Sequence, residues 1–142
     1  MKIEPPNRKD VRWIAERLVH ADELVFSALG KHLAEQLPDL GLLQEVIDRK
    51  LVEREATYSL QALGLAFGKV FVNLNENYDW WMVEDEYGRD PAIRYMKTSI
   101  RVFPQTITSK RVEDQKEVNV RALYDGLLKQ LDQIRREIAE DA

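Results

Sequence analysis

The chain has no cysteine among its 142 residues, and it has no long apolar run. The absence of thiols excludes disulfides and thiolate metal sites, and it fits a reducing compartment. No run approaches the roughly 18 apolar residues that span a bilayer. The opening residues, MKIEPP, lack the apolar centre of a signal peptide. These absences lead us to expect a soluble, cytoplasmic protein without a membrane partner.

Signatures of catalysis are missing as well. The chain has only two histidines, and it contains neither an HExxH motif nor a GxSxG nucleophile motif. We therefore expect no catalytic residues and no cofactor. The formal net charge of -4 gives no general attraction to nucleic acid. Nucleic acid is accordingly not expected among the partners.

What the chain does contain is an ordinary globular balance, with 44% hydrophobic and 32% charged residues. A length of 142 residues favours a single domain. We divide it into an N-terminal part, residues 1–52, and a helix–hairpin–helix core, residues 53–142. The N-terminal part has an extended lead-in at residues 1–7, and the rest of it is helical.

Apolar residues recur at spacings of three and four on both sides of a central segment, which predicts amphipathic helices there. Gly64 and Gly68 share one face of the third helix, which indicates that another backbone packs closely against it. The first predicted helix is long; it starts at the cap Asn7 and ends before Pro38, or sooner at Gly30. A second helix starts at Asp39, a third runs from about Glu53 to Leu74, and a last one follows Asn119.

The central segment changes to a strand-like pattern. Trp80 to Asp85 is rich in β-forming residues, and Gly88 can adopt the left-handed backbone that a tight hairpin turn needs. The return strand or strands lie at residues 92–96 and 99–103. Lys97-Thr98 between them is a bend, a bulge or a second turn.

These elements predict an α+β fold that is mostly helical. Its small antiparallel sheet, of two or three strands at about residues 80–103, packs against the third and C-terminal helices. A lone hairpin is marginal in water, so these helices must cover one of its faces.

The two arms of the predicted hairpin carry opposite charge. Residues 76–89 hold five acids and one base, whereas residues 94–111 hold five bases and no acid. Cross-strand ion pairing explains this pattern, and so does a recognition surface. A third explanation is a divalent-cation site at Asp85, Glu86 and Asp90, with Lys110 or Arg111 meeting an anion.

Trp80 and Trp81 are adjacent on the predicted strand, so their side chains point to opposite faces of the sheet. One of them is expected in the core. The other is covered by a second layer, stacked on Arg94 or Arg101, or exposed as a binding anchor.

Our leading hypothesis is a non-enzymatic protein-binding module, such as an adaptor or immunity-like accessory protein, because the hairpin concentrates aromatic and charged side chains. The alternative is a metal- or anion-dependent enzyme that uses the acidic turn at residues 84–90. A homodimer through a sheet edge or the glycine-bearing helix face is a further expectation. The residues expected to contact a partner are Trp81, Glu84, Asp85, Glu86, Tyr87 and Arg89.

Several of these motifs also resemble a known bacterial family. They are Leu63-Gly64 with Gly68, the strand Trp80-Trp81-Met82-Val83, the turn Asp85-Glu86-Tyr87-Gly88, and Phe103-Pro104 followed by Lys110-Arg111. The chain resembles the family catalogued as domain of unknown function 3806 over roughly residues 56–131. The resemblance implies a bacterial origin and a helix–hairpin–helix order. The family has no established activity or catalytic residues to carry over.

Overall fold

The computed structural model describes residues 1–141. Its four strands are β1 Lys2–Glu4, β2 Tyr78–Asp85, β3 Gly88–Tyr95 and β4 Arg101–Val102. Its six helices are α1 Arg8–Leu29, α2 Asp39–Asp48, α3 Thr57–Leu74, α4 Pro104–Ile107, α5 Ser109–Glu113 and α6 Val120–Asp141. None of the helices in this range has the length and apolar character needed to cross a membrane.

The four strands form one antiparallel sheet in the order β1-β2-β3-β4. The region predicted to hold two or three strands contains three, β2, β3 and β4, and β1 adds a fourth strand that is not predicted. β1 pairs with the end of β2, where Ile3 lies opposite Val83, so the N-terminal region predicted as a lead-in and helices begins with a strand. Three residues are too few to display an alternating pattern, which is why the sequence does not indicate this strand.

The hairpin between β2 and β3 closes through a turn at Glu86 and Tyr87, because Asp85 pairs with Gly88. Gly88 has a φ of 139°, in the region that favours glycine. The Asp85 carboxylate accepts a hydrogen bond from the Tyr87 backbone N–H at 2.8 Å. The turn is therefore fixed by both its backbone and a side chain.

A second turn joins β3 to β4 and decides between the alternatives for Lys97-Thr98. The N–H of Thr98 donates to the carbonyl of Tyr95 at 3.1 Å, and the N–H of Tyr95 donates to the carbonyl of Ile100 at 3.0 Å. The chain reverses here and adds a short edge strand to the sheet.

α1 begins and ends at residues that its sequence marks. The Asn7 side chain accepts from the N–H of Asp10 while the Asp10 carboxylate accepts from the N–H of Asn7, both at 2.9 Å. Gly30 ends the helix with a φ of 69°, well before Pro38. The buried residues of α1 are Asp10, Ile14, Ala21 and Val25. Val11, which the apolar spacing predicts on the same face, is 57% exposed.

The core lies between the helices and one face of the sheet. Phe67 and Phe71 of α3 meet the Tyr124 ring of α6 edge-on, with ring centroids 6.1 and 5.6 Å apart. Tyr78 of β2 and Ile93 of β3 belong to the same buried cluster. The third and C-terminal helices therefore share a core with the sheet, and the α+β prediction is confirmed.

The two glycines of α3 face the segment that follows β4. A Cβ added at Gly64 would lie 2.5 Å from the Pro104 carbonyl oxygen, and one at Gly68 would lie 2.9 Å from a Trp80 ring carbon. The close backbone approach predicted from these glycines is made by α4 of the same chain. This helix face is consequently filled and is not open to a second copy.

Candidate functional site

The hairpin tip, defined as Glu84 to Tyr87, combines an exposed aromatic ring with three carboxylates. Tyr87 has 89% of its surface exposed, and Glu84, Asp85 and Glu86 are exposed beside it. Tyrosine is one of the residue types enriched where proteins meet. The structure thus places four of the six residues that the sequence suggests for partner contact on one turn.

Arg89, another of those six, is partly buried and is engaged in ion pairs within the molecule. Its guanidinium donates to the two Asp10 carboxylate oxygens at 3.0 and 2.6 Å, and to a Glu4 carboxylate oxygen at 2.7 Å. The Arg89 side chain is only 21% exposed. It joins β3 to α1 and β1, and so fixes the position of the hairpin tip relative to these two elements.

This cluster of charges shifts the ionisation of its members. Hydrogen bonds from Arg89 hold the pKa of the Asp10 and Glu4 carboxyls below their usual values. The hydrogen bonds to Asp10 and Glu4 in turn raise the pKa of Arg89. Sequence reasoning misses this cluster because Asp10 and Glu4 lie 79 and 85 positions from Arg89, and no local pattern links residues so far apart.

The two tryptophans lie on opposite faces of the sheet, as their adjacency predicts. Trp80 packs towards α3 beside Gly68. Trp81 lies half-buried on the outer face, and the Arg94 guanidinium carbon is 4.5 Å from its ring centroid, which is a cation–π contact. The sequence leaves several environments open for the second tryptophan. The one that the structure has is stacking on Arg94.

Residues 39–124 match the model of the family described as "Domain of unknown function (DUF3806)". The chain belongs to this family. The match spans α2, α3 and the three C-terminal strands of the sheet, so the resemblance suggested by the motifs of the central segment is confirmed.

A similar solved structure is a crystal structure from Bacteroides thetaiotaomicron VPI-5482 at 1.50 Å resolution, with a TM-score of 0.83 and 19% sequence identity. The alignment covers 91% of this DUF3806 chain and 47% of that chain. The present chain therefore spans about half the length of that protein, and the likeness shows a shared fold. A search of curated proteins found no match.

Ion pairing across the hairpin of this DUF3806 chain is limited. Glu84 lies opposite Arg89, with charged atoms 3.8 Å apart. Asp79 lies opposite Arg94, but Arg94 donates to the carbonyl of Thr98 at 2.6 Å and stacks on Trp81. The prediction of cross-strand charge pairing is therefore correct for Glu84 and Arg89 and wrong for Asp79 and Arg94.

The acidic turn does not assemble into a metal-binding group. Within residues 1–141, no cluster of three or more acidic or histidine side chains is placed to hold an ion. Asp90 accepts from the Gln105 amide at 2.9 Å, and the Asp85 carboxylate is engaged in the turn. Arg111, one of the two suggested bases, donates to a backbone carbonyl one turn earlier at 3.0 Å. The structure thus does not bring together the three carboxylates suggested as a divalent-cation site, which are those of Asp85, Glu86 and Asp90.

A cleft of about 1450 Å³ separates α2 from the start of α6. Its lining includes four acids and four bases, so it presents no excess of either charge to a ligand. The sequence does not indicate this cleft, because its walls come from two distant stretches, residues 37–60 and 112–121.

Proposed function

We propose that the chain is a non-enzymatic protein-binding module, an adaptor or immunity-like accessory protein, that meets its partner through the hairpin tip. The observation that carries this proposal is the exposure of Tyr87, 89% of whose surface is accessible on a turn of fixed conformation. A tyrosine side chain supplies a large, amphipathic contact area and loses little conformational entropy when it is immobilised.

The tip is held in place before a partner arrives. Asp85 fixes the turn through the Tyr87 N–H, and Arg89 ties β3 to Asp10 of α1 and Glu4 of β1. A preorganised surface pays a smaller entropy cost on binding than a flexible loop does. This rigidity supports a recognition role for the tip.

The charge of the tip indicates the kind of surface that it fits. Glu84, Asp85 and Glu86 place three carboxylates on the same hairpin tip as Tyr87. Because complementary potentials steer association and select partners, we infer a partner with a basic surface around a pocket for the tyrosine ring. Trp81 offers a second contact to a partner that extends over the outer face of the sheet.

Capture from native lysate, quantified by mass spectrometry, tests this proposal. The tip variant is Glu86→Lys/Tyr87→Ala. The matched control is Glu23→Lys/Val19→Ala on α1, where Glu23 is exposed and Val19 is 57% exposed. The control makes the same kind of change, a charge reversal and a truncation, away from the tip. Glu84 is left unchanged because it lies 3.8 Å from Arg89.

A protein retained by the wild type and the control but lost by the tip variant supports the proposal. Two results contradict it. One is a partner that all three chains retain equally. The other is a chain that captures nothing and behaves as a homodimer in light scattering.

A further inference from the structure

We propose that a second surface of the chain, formed by α1 and the start of α3, binds an acidic segment of a partner protein. We name this surface the aromatic patch; it consists of Trp13, Arg17 and His20 of α1 with Tyr58 and Ser59 of α3. The inference goes beyond the proposed function, because the patch contains none of the residues of the hairpin tip. The two surfaces can therefore be tested separately.

The centre of the aromatic patch is Arg17, whose guanidinium contacts two aromatic rings. Its central carbon is 3.5 Å from the Trp13 ring centroid and 5.1 Å from the Tyr58 ring centroid, and both are cation–π contacts. Among the side chains that the structure describes, its one hydrogen bond runs from Nη1 to the Trp13 carbonyl at 3.1 Å. A guanidinium carries five N–H donors. The remaining donors of Arg17 are thus available to a carboxylate.

The rings of the aromatic patch are oriented by contacts between the two helices. His20 Nε2 and Ser59 Oγ lie 2.9 Å apart, so a hydrogen bond joins α1 to α3. The His20 ring meets the Tyr58 ring edge-on, with centroids 4.9 Å apart. Tyr58 nevertheless keeps 48% of its surface exposed, and Trp13 and Arg17 are partly exposed. Tryptophan, tyrosine and arginine dominate the binding energy of protein interfaces, and their fixed positions lower the entropy cost of binding.

The charge around the aromatic patch indicates the chemistry of its ligand. Residues 8–20 hold four bases and two acids, and one of these acids, Asp10, is held in the ion pair described above. The other acid is Glu16. Lys9 lies two helical turns before Arg17, so it extends the positive charge along the same side of α1. This local surplus occurs in a chain whose formal net charge is -4, and carboxylates are the complementary group.

A short acidic segment with an apolar neighbour fits this surface best. Its carboxylate would meet the Arg17 donors, and its apolar side chain would lie against the exposed Tyr58 ring. A nucleic acid brings many phosphates, which the acids on the rest of the chain repel. The hairpin tip of a second copy is also acidic, but that contact joins two different surfaces and builds rings or open chains rather than a closed dimer. We therefore assign the patch to a different protein.

The test uses the full chain and a phage-displayed library of random linear heptapeptides. The most enriched peptide is synthesised with a fluorescent label, and its dissociation constant is measured by fluorescence anisotropy. Arg17→Gln and Tyr58→Ala alter the aromatic patch. The matched control is Arg136→Gln, which removes the same charge from an exposed position on α6. The variant Glu86→Lys/Tyr87→Ala alters only the tip.

We expect the enriched peptides to carry an acidic residue next to an apolar one. Arg17→Gln should weaken binding by about tenfold or more, because it removes charge-assisted hydrogen bonds. Tyr58→Ala should weaken binding by about fivefold or more. Because it truncates an exposed side chain, it keeps the test decisive if Arg17→Gln fails to fold. The control and the tip variant should bind as the wild type does, so the tip proposal can fail without this inference.

Three results would overturn the inference. The first is a library that enriches no acidic peptide, or a peptide whose affinity is unchanged in Arg17→Gln and Tyr58→Ala. The second is a single-stranded DNA oligonucleotide that binds the patch more tightly than the peptide does. The third is self-assembly of the wild-type chain in light scattering that both Arg17→Gln and the tip variant abolish, which would assign the patch to a second copy.

Discussion

Arg89 connects parts of the chain that are distant in sequence, and its planar guanidinium suits that role. Two of its N–H groups reach the Asp10 carboxylate and a third donor reaches Glu4. Lysine carries the same charge but cannot form this fork of parallel hydrogen bonds. Because Asp10 is only 7% exposed, water cannot fully replace a lost partner there.

We predict that Arg89→Lys lowers the midpoint of thermal unfolding by clearly more than Arg12→Lys does. Arg12 lies exposed on α1, so the control makes the same substitution where no fork is lost. Circular dichroism melting curves of the two variants and the wild type check this. Equal midpoints would show that Arg89 contributes no more than an ordinary surface charge.

Acid should weaken the fold through the same cluster. Because Arg89 lowers the pKa of Asp10 and Glu4 in the folded state, the unfolded state binds more protons as the pH falls. The contribution of these carboxyls to the free energy of unfolding is present above about pH 4 and is lost progressively below it. Urea titrations from about pH 6 down to about pH 2.5 should show a smaller loss for Arg89→Leu than for the wild type. An equal loss in the free energy of unfolding for Arg89→Leu and the wild type would show that other groups cause the acid sensitivity.

The packing of the helices depends on how closely their backbones approach, and two helical glycines differ in this respect. Gly64 of α3 lies against α4, where an added Cβ would meet the Pro104 carbonyl at 2.5 Å, whereas Gly126 of α6 has nothing within 4 Å. Gly64→Ala should destabilise the fold by about 1–3 kcal/mol through overpacking. Gly126→Ala should stabilise it by up to about 1 kcal/mol, since alanine favours helix over glycine. Urea unfolding measures both, and a shift of the same sign in the two variants would refute the account of α3–α4 packing.

The elements that the sequence predicts well are those marked by local chemistry. Asn7 and Gly30 delimit α1, and Gly88 marks the hairpin turn, because each acts through its own backbone or its nearest neighbours. β1 escapes prediction because three residues carry no period, and its place beside Val83 depends on the whole chain having folded. Glu4 and Asp10 are missed as members of the site for the same reason.

At the scale of the whole molecule, the folded unit is larger than the span that matches the family. Residues 39–124 exclude α1 and most of α6. Yet Ala21 and Val25 of α1 are 0% exposed and Leu131 of α6 is 3% exposed, all within one core cluster. The alignment with the solved structure, which covers 91% of the chain, supports the larger unit.

A fragment of residues 39–124 should therefore lack the cooperative unfolding of the full chain, because it exposes the core surface that α1 and α6 cover. Urea denaturation followed by tryptophan fluorescence compares the two, since both tryptophans of β2 remain in the fragment. A fragment with a sharp transition at the same urea concentration would show that α1 and α6 are dispensable.

We propose that the sheet meets its partner at the hairpin tip, close to the hydrogen bonds that join Arg89 to α1 and β1. Hydrogen exchange of the captured complex, read by mass spectrometry against the free chain, tests this claim most directly. Binding should slow exchange in the peptides that span Glu84 to Gly88, with no comparable change along the cleft between α2 and α6. Slowed exchange in the cleft with an unchanged tip would contradict it.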